Sequence, residues 1–396
     1  MVDDFLAQLK AIDQDALTKA ARKDQRDKDM VIVNWMVEPV RHEILTDTTT
    51  GLFRFTGQGI SPKGKRFWTM ILKWINNPKL SSQQPYETFY WEREVLAFKS
   101  GLLEQLPSGV RAPHCYGVME NEDGAWVWME DIHEAVGKQW SLDDFQRTAR
   151  QFGRFQGAYL CGTPLPTQPW LCPPFFGVGW AEQNGWSGFM SPEFEKNGWK
   201  LPIDQSMLND KQKLRLLQLI VENQRFDLVN QYLPQVLCHN DVHRKNLIWA
   251  DLPHIGQKEL IVLDWAFTGP GAAGNDLGGL LGNSLYFFDY DPYDAETLES
   301  VLLEGYLAGI ADQCVEIDPR FVRLGYLISL SFFMEYLPGW TPFMLPPDSG
   351  DTVQDMYGHS VQEVLASWVH LNAFCLDRAD EARSLIKELG LAVVEV

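Results

Sequence analysis

The sequence predicts an α+β fold of two lobes: a small lobe of antiparallel strands with one main helix, then a larger, mostly helical lobe. The chain has 396 residues, 45% hydrophobic and 22% charged, which is enough for two compact cores. Short alternating segments separated by turns occupy residues 40–132, and helical periodicity dominates from residue 133 onward. We therefore expect an N-terminal lobe over residues 1–132 and a C-terminal lobe over residues 133–396.

Composition and charge restrict the classes of function. The net charge of −19 repels nucleic acids and anionic membranes at long range. No run of eighteen apolar residues is present and the first residues are acidic and polar, so we expect neither a transmembrane helix nor a secretory signal. The six cysteines include no Cys-x-x-Cys pair, which indicates free thiols in a reducing compartment. We expect a cytoplasmic protein that binds neither nucleic acid nor membrane; its oligomeric state is not predicted.

The small lobe is predicted to begin with one or two helices within residues 3–26. From residue 40 the segments VRHEIL, LFRFTGQGI and FWTMILKWI predict an antiparallel meander, joined by the turns TDTTTG and SPKGKR. The first turn, residues 46–51, is rich in hydroxyl groups and ends at Gly51, so its backbone is able to approach a polyphosphate closely. Most turns of this kind only join a hairpin, and both interpretations stay open.

A lysine near the end of the third strand has two interpretations. Lys73 shares a strand face with Ile71, a position that suits the mouth of a cleft, where its ammonium contacts nucleotide phosphates. A surface lysine would need no such role. The helix predicted over residues 86–107 carries Glu92 and Glu94, and either is able to pair with the lysine. We predict the pair with Glu94.

The crossing between the lobes follows a predicted hairpin that turns at residues 122–124. Its second strand ends near Glu130 and Ile132, whose backbone carbonyl and N–H groups are candidates for contacting an adenine edge. Most strand-to-helix crossings bind nothing, so this role is a hypothesis.

The main chemical signal lies in residues 236–250, VLCHNDVHRKNLIWA, and in the following segment 260–267, LIVLDWAF. His239, Asp241 and Asn246 lie in a short loop between apolar runs, and Asp264 follows an apolar strand. Phosphoryl transfer needs mainly a hydroxyl placed near a carboxylate and Mg²⁺ held on the phosphate oxygens. Asp241 is the candidate base that accepts the hydroxyl proton. Asn246 and Asp264 supply hard oxygen ligands for the metal.

The rest of the large lobe is predicted to be helical. Ser141 and Asp144 form a capping-box pattern before the helix at residues 142–160. The proline- and aromatic-rich residues 164–202 suggest an insert whose rings either bind a ligand or hold the insert to the body. Asp276 either caps a helix or binds backbone N–H groups of the central loop. Further helices are predicted near residues 210–233, 294–310, 319–337, 353–376 and 378–389.

The motif HNDVHRKN at residues 239–246, followed by LDW at 263–265, resembles the aminoglycoside phosphotransferase and choline kinase group of small-molecule kinases. This group shares the protein-kinase-like fold. The resemblance extends from about residue 38 to residue 281, with firm motifs only in the second lobe. The sequence departs from the family pattern at Asn240, where glycine is usual, and at Ala266, where many members have glutamate.

The resemblance implies the same roles for the candidate residues. Asp241 would be the catalytic base, Asn246 and Asp264 the Mg²⁺ ligands, and Lys73 with Glu94 the nucleotide-binding pair. His239 would brace the loop. The implied enzyme is an ATP-dependent, Mg²⁺-requiring phosphotransferase with a small-molecule hydroxyl acceptor: an aminoglycoside, a choline-like amine, a sugar or an amino alcohol. The sequence does not separate ATP from GTP as the donor.

Two other interpretations stay open at this point. One is a catalytically silent, kinase-like binding module, although none of the expected polar groups is missing. The other is a metal-dependent hydrolase, since alternate residues of an extended segment share one face. Its two-histidine, two-carboxylate cluster would consist of His239, Asp241, His243 and Asp264.

Overall fold

The structure, a computed structural model, describes residue 9 and residues 14–40, 49–79, 83–137, 139–173, 209–252, 256–313, 316–344 and 350–391. Within these residues the chain forms ten strands and nine α-helices. The strands are β1 (Val31–Pro39), β2 (Thr49–Ser61), β3 (Gly64–Asn76), β4 (Val110–Arg111), β5 (Cys115–Asn121), β6 (Gly124–Glu130), β7 (Gln235–Cys238), β8 (Leu247–Asp251), β9 (Lys258–Val262) and β10 (Gly269–Ala272). The helices are α1 (Gln14–Asp24), α2 (Arg93–Lys99), α3 (Leu142–Leu160), α4 (Asp210–Tyr232), α5 (Asn275–Tyr286), α6 (Ala295–Ala311), α7 (Pro319–Met344), α8 (Gly350–Tyr357) and α9 (Val361–Glu388).

A five-stranded antiparallel sheet forms the N-terminal part, in the order β1-β2-β3-β6-β5. Phe55 of β2 pairs with Met70 of β3, and both are fully buried in a core that also contains Leu17 of α1. Side chains alternate between the two faces of a strand, so Ile71 and Lys73 of β3 belong to the opposite face. The predicted antiparallel meander is confirmed, with one face covered by α1 and the other carrying Lys73.

The first strand lies earlier than the sequence predicted. Residues 41–45 of the expected strand VRHEIL lie outside the described residues, whereas β1 covers Val31–Pro39 and pairs with β2. Val31 and Val33 are 59% and 56% exposed, and the register shifts between Ile32 and Asn34. Exposed valines and a bulge remove the alternation that identifies a half-buried strand.

Helix α2 is shorter than the helix predicted over residues 86–107, because it begins at Arg93 and ends at Lys99. The Arg93 guanidinium binds the backbone carbonyls of Glu87 and Thr88 at 2.7 and 2.6 Å. Those carbonyls would accept backbone hydrogen bonds in a longer helix. Gly101, in the left-handed conformation at φ +75°, follows the helix.

Two small sheets connect this part to the helices. The hairpin of β5 and β6 is confirmed, and β6 ends at Glu130. Strand β9 pairs in parallel with β4 and antiparallel with β8, while β7 pairs with β10. The backbone N–H of Leu263 donates to the carbonyl of Asn246 at 2.8 Å, so the residue before β8 lies beside the end of β9.

Helices α3 and α6 approach each other through glycines. A Cβ at Gly153 would lie 2.1 Å from the carbonyl oxygen of Tyr306, and one at Gly309 would lie 2.1 Å from that of Arg150. Only glycine permits this distance between the two backbones. The predicted capping box at Ser141 and Asp144 is present at the start of α3.

The C-terminal helices differ from the predictions in their boundaries. Helix α7 continues to Met344, and α9 runs without interruption from Val361 to Glu388. A capping box of Ser360 and Glu363 begins α9, so the break between helices precedes Val361 instead of following residue 376. Among the described residues, no helix combines the length and apolar character that crossing a bilayer requires.

Candidate active site

Lys73 joins two carboxylates that come from distant parts of the chain. Its Nζ lies 2.6 Å from Oε2 of Glu94 on α2 and 2.9 Å from Oδ1 of Asp264, two residues after β9. The side chains of Lys73 and Glu94 are 8% and 4% exposed, while that of Asp264 is 34% exposed. Glu92, the alternative partner, accepts a hydrogen bond from Tyr90 at 2.6 Å. The structure thus contains the ion pair that we predicted.

The three charges affect one another strongly. Burial favours neutral Lys73, but the carboxylates of Asp264 and Glu94 outweigh burial and hold the pKa of Lys73 above its ordinary value. Burial raises the pKa of Glu94 despite its contact with Lys73. Burial also acts to raise the pKa of Asp264, but Lys73 outweighs it and holds that pKa below its ordinary value. Asp264 is therefore a carboxylate at neutral pH, and part of it faces solvent.

His239 uses both ring nitrogens to hold the loop after β7. Nε2 lies 2.8 Å from the carbonyl oxygen of Leu263, and Nδ1 accepts the backbone N–H of Asp241 at 3.2 Å. Since Nδ1 accepts, Nε2 carries the proton and donates it to Leu263. The ring is fully buried against the edge of Trp265, at a centroid distance of 4.9 Å. His239 therefore connects the loop that contains Asp241 to the loop that contains Asp264.

Asp241 lies beside Asn246 and His243 on the same loop. The Asn246 amide donates to the Asp241 carboxylate and to its backbone carbonyl, both at 3.0 Å. Nε2 of His243 is 3.7 Å from the same carboxylate oxygen. Burial acts to lower the pKa of His243, but Asp241 outweighs it, so the pKa is raised. The Asp241 side chain is 28% exposed and is accessible to a hydroxyl group from solvent.

The asparagine in place of the usual glycine has a structural explanation. Asn240 adopts φ +66°, in the left-handed region that glycine occupies most easily and asparagine tolerates best among the other residues. Its side-chain amide donates to the carbonyl of Phe267 at 2.9 Å. The departure from the family motif therefore preserves the turn and adds a contact to the loop after β9.

A buried carboxylate anchors this turn. Asp276 on α5 accepts the backbone N–H groups of His239 and Asn240 at 2.9 and 2.8 Å, and burial raises its pKa. Of the two roles considered for Asp276, the structure shows the contact with the loop; Gly274 occupies the N-cap of α5. Gln156, which we had not singled out, donates to Asp276 at 2.7 Å. A lone glutamine within an amphipathic helix gives no sequence signal of such a contact.

We also predicted nucleotide contacts at Glu130, Ile132 and Gly51. The Glu130 carboxylate pairs with Arg111 at 2.6 Å, and its backbone N–H donates to His114. The contact of an adenine edge with the backbone carbonyl of Glu130 and the N–H of Ile132 stays a prediction. Gly51 lies within β2 and is buried, so the expected turn ends earlier than residue 51. Residues 46–48 of that turn and residues 174–202 of the aromatic insert lie outside the described residues.

The donor set fits Mg²⁺ better than zinc. In the described ranges, no three His, Cys, Asp or Glu side chains are grouped to hold a metal ion. Both nitrogens of His239 are engaged, and the turn at Asn240 interrupts the extended geometry that the hydrolase interpretation needs. The Asn246 amide nitrogen donates to Asp241, and the amide oxygen of Asn246 and the carboxylate of Asp264 are hard donors of the kind that Mg²⁺ prefers.

Comparison with known proteins identifies the family of this chain. Residues 79–311, well over half of the chain, match the sequence model of the phosphotransferase enzyme family. No curated protein matches the chain. A microcompartment-associated aminopropanol kinase has a similar structure, at 17% identity and TM-score 0.50, covering 94% of this chain and 96% of its own. A similar structure at TM-score 0.49, an amicoumacin kinase, has 15% identity and the same coverages.

The similarity to the aminopropanol kinase, at TM-score 0.50, concerns the fold alone, and with the observed sheet and helices it confirms the predicted bilobal α+β, protein-kinase-like architecture. The sequence match extends through α2, α3, the loop after β7, the loop after β9 and α6. It therefore includes Glu94, Asp241, Asn246 and Asp264, while Lys73 precedes it. The chain belongs to the phosphotransferase enzyme family.

Proposed function

We propose that this phosphotransferase uses ATP and Mg²⁺ to phosphorylate a hydroxyl group of a small molecule. The observation that carries the proposal is the double ion pair of Lys73 with Glu94 and Asp264, at 2.6 and 2.9 Å. It supports a nucleotide role because the lysine, buried on the sheet face opposite α1, keeps its positive charge next to a partly exposed carboxylate. A structural ion pair would not require Asp264 to face solvent.

Asp241 is proposed to orient the acceptor hydroxyl and to receive its proton as the oxygen attacks the terminal phosphorus. Asn246 holds the Asp241 carboxylate through its amide N–H at 3.0 Å. His239 accepts the backbone N–H of Asp241 and Asp276 accepts that of Asn240, so the backbone that carries the carboxylate is held in place. Positioning the two reactants is one of the main contributions that a protein makes to this reaction, beside electrostatic stabilisation.

Asn246 and Asp264 are proposed to hold the metal. When bound, Mg²⁺ neutralises charge on the phosphate oxygens. Lys73 is proposed to bind phosphate oxygens as well, and Glu94 keeps its ammonium in place. The Glu130 carbonyl and the Ile132 N–H are proposed to contact the nucleotide base, and the turn before Gly51 to approach the phosphates. We propose ATP as the donor, and GTP is the alternative to test.

The sequence restricts the acceptor only to broad chemical classes. The net charge of −19 favours neutral or cationic acceptors over anionic ones. An amino alcohol, a choline-like amine, an aminoglycoside and a sugar remain the classes to compare.

We also propose the two lobes at residues 1–132 and 133–396. A cytoplasmic location is proposed because the five cysteines in the described part of the chain are free.

The test is a nucleotide-consumption screen of the purified chain with pooled amino alcohols, aminoglycosides and sugars. Each pool is assayed with ATP or GTP, in Mg²⁺ and in excess chelator. We expect at least one pool to accelerate consumption in Mg²⁺ and to lose that effect with chelator. Nucleotide binding without consumption in every pool would instead support the binding-module interpretation and contradict the proposal.

A further inference from the structure

We propose that Arg93 is a positioning residue that holds the loop after β9 in the conformation presenting Asp264, before any nucleotide binds. The inference deepens the proposed function and rests on it, because Asp264 matters for transfer only if it serves a nucleotide-bound metal. Arg93 precedes Glu94 on α2, and nothing in the proposed mechanism requires it to contact substrate.

Arg93 is fully buried, and all five of its guanidinium N–H donors bind backbone carbonyl oxygens. Within the described residues, none of these partners is a carboxylate. The carbonyls come from three separate parts of the chain: the segment before α2, the segment after α3 and the loop after β9. They belong to Pro85 at 3.2 Å, Glu87 at 2.7 Å, Thr88 at 2.6 Å, Trp170 at 2.8 Å and Ala266 at 2.9 Å.

Two consecutive residues of α2 hold two consecutive residues of the loop. Arg93 donates to the carbonyl of Ala266, and the Glu94 carboxylate accepts the backbone N–H of Trp265. Asp264 comes immediately before them and adopts φ +58°, a left-handed conformation that glycine occupies most easily and that aspartate and asparagine tolerate better than other residues. Contacts from outside the loop stabilise this conformation, and α2 supplies two of them.

Later residues of the same loop, Phe267 and Thr268, are also held by hydrogen bonds. The carbonyl of Phe267 accepts from the Asn240 side chain at 2.9 Å, and that of Thr268 accepts from the N–H of Cys172 at 2.9 Å. Arg93 joins this set to α2, because its Nε also binds the carbonyl of Trp170. Removing the guanidinium would take away one of the two hydrogen bonds by which α2 holds the loop that carries Asp264.

The first test compares Arg93→Lys with Leu17→Ala. Lysine keeps the charge, but its single ammonium cannot reach carbonyls in three directions. Leu17 is a buried core residue of α1 in the same part of the protein, so its truncation lowers stability without touching the loop. Both variants are assayed at a temperature where both are folded. The readouts are kcat, the acceptor KM and the Mg²⁺ concentration giving half-maximal rate.

For Arg93→Lys we expect the half-saturating Mg²⁺ concentration to rise at least tenfold and kcat to fall at least tenfold, with the acceptor KM within twofold of wild type. Leu17→Ala should keep the wild-type Mg²⁺ dependence. If Arg93→Lys shows the same Mg²⁺ dependence as Leu17→Ala, Arg93 has only a structural role and the inference is wrong.

The second test uses the wild-type protein, so it does not depend on whether the variant folds. Amide hydrogen exchange of residues 264–268 is measured without nucleotide and with Mg²⁺ and ADP. We expect protection already without nucleotide, within about threefold of the bound state. Exchange at the rate of unstructured chain until nucleotide binds would overturn the inference. This result does not require turnover, so failure of the enzyme assay and failure of the positioning role are distinguishable.

Discussion

The amide group of Asn246 donates a hydrogen bond to the Asp241 carboxylate at 3.0 Å, which places the candidate base and a candidate metal ligand in direct contact. In the proposed mechanism this side chain has two roles: its nitrogen orients Asp241, and its oxygen binds the metal ion.

Asn246→Ala is expected to lower kcat at least a hundredfold and to raise the Mg²⁺ requirement, because Asp241 loses its donor and the metal loses a ligand. The measurement is a steady-state rate at several Mg²⁺ concentrations. Asn121→Ala, at the end of β5, serves as the control and should keep the wild-type rate. A normal Mg²⁺ requirement in Asn246→Ala would remove Asn246 from the metal site.

Lys73→Met is expected to raise the nucleotide KM at least tenfold and to lower the free energy of unfolding by about 3 kcal/mol. Loss of the ammonium leaves the Glu94 carboxylate almost fully buried and close to Asp264 without a cation. Nucleotide titration and chemical denaturation check the two effects. Lys79→Met is the matched control, since the Lys79 side chain is 53% exposed. Unchanged stability in Lys73→Met would show that the ion pairs contribute little.

The conformation of Asn240 predicts an unusual order of stability. Both Asn240→Gly and Asn240→Ala lose the contact with Phe267, but alanine must also adopt the left-handed conformation. Asn240→Ala should therefore be less stable than Asn240→Gly by about 1 kcal/mol. Asn240→Gly should retain most of the activity, because it restores the family motif. Urea denaturation measures the difference, and an alanine variant as stable as the glycine variant would contradict the assigned backbone conformation.

Asp227 on α4 gives a pH-dependent prediction outside the site. Burial raises the pKa of Asp227 to about 6 from an ordinary 3.8. Between these values the folded chain binds the proton and the unfolded chain releases it, so this group makes the protein less stable as the pH rises from about 4 to about 6. Asp227→Asn should then stabilise the protein at pH 7 by about 1 to 3 kcal/mol, with little gain near pH 4.

Denaturation of Asp227→Asn at both pH values checks this, with Asp251→Asn on the exposed end of β8 as the control. The control should follow the wild-type pH profile. An equal gain for Asp227→Asn at pH 4 and pH 7 would show that the stabilisation does not come from proton release.

The parts of the site that the sequence predicted are those set by local spacing. Asp241 and Asn246 lie in one short loop, and Asp264 follows a recognisable apolar strand. The pairing of Lys73 with Glu94 needed a choice between two glutamates, which spacing alone could not make. The resemblance to a kinase family supported that choice, and the ion pair at 2.6 Å agrees with it.

The residues that the sequence analysis missed make their contacts through the folded structure. Arg93 binds five carbonyls and Gln156 binds a buried carboxylate, and neither contact requires a particular residue type at a fixed spacing. The same arginine explains the overlong helix predicted over residues 86–107, since it takes carbonyls that the helix would have used. Strand β1 was missed because its exposed valines obscure the alternation of buried and exposed residues.

The central claim is that Asp241 accepts the proton of the acceptor hydroxyl. Asp241→Asn keeps the shape of the side chain and the neighbouring loop, but it removes the negative charge. The measurement is single-turnover transfer of labelled phosphate from ATP to the acceptor, together with nucleotide binding at equilibrium. We predict a transfer rate reduced at least a thousandfold with a nucleotide Kd within threefold of wild type. Transfer at the wild-type rate would contradict the assignment of Asp241 as the base.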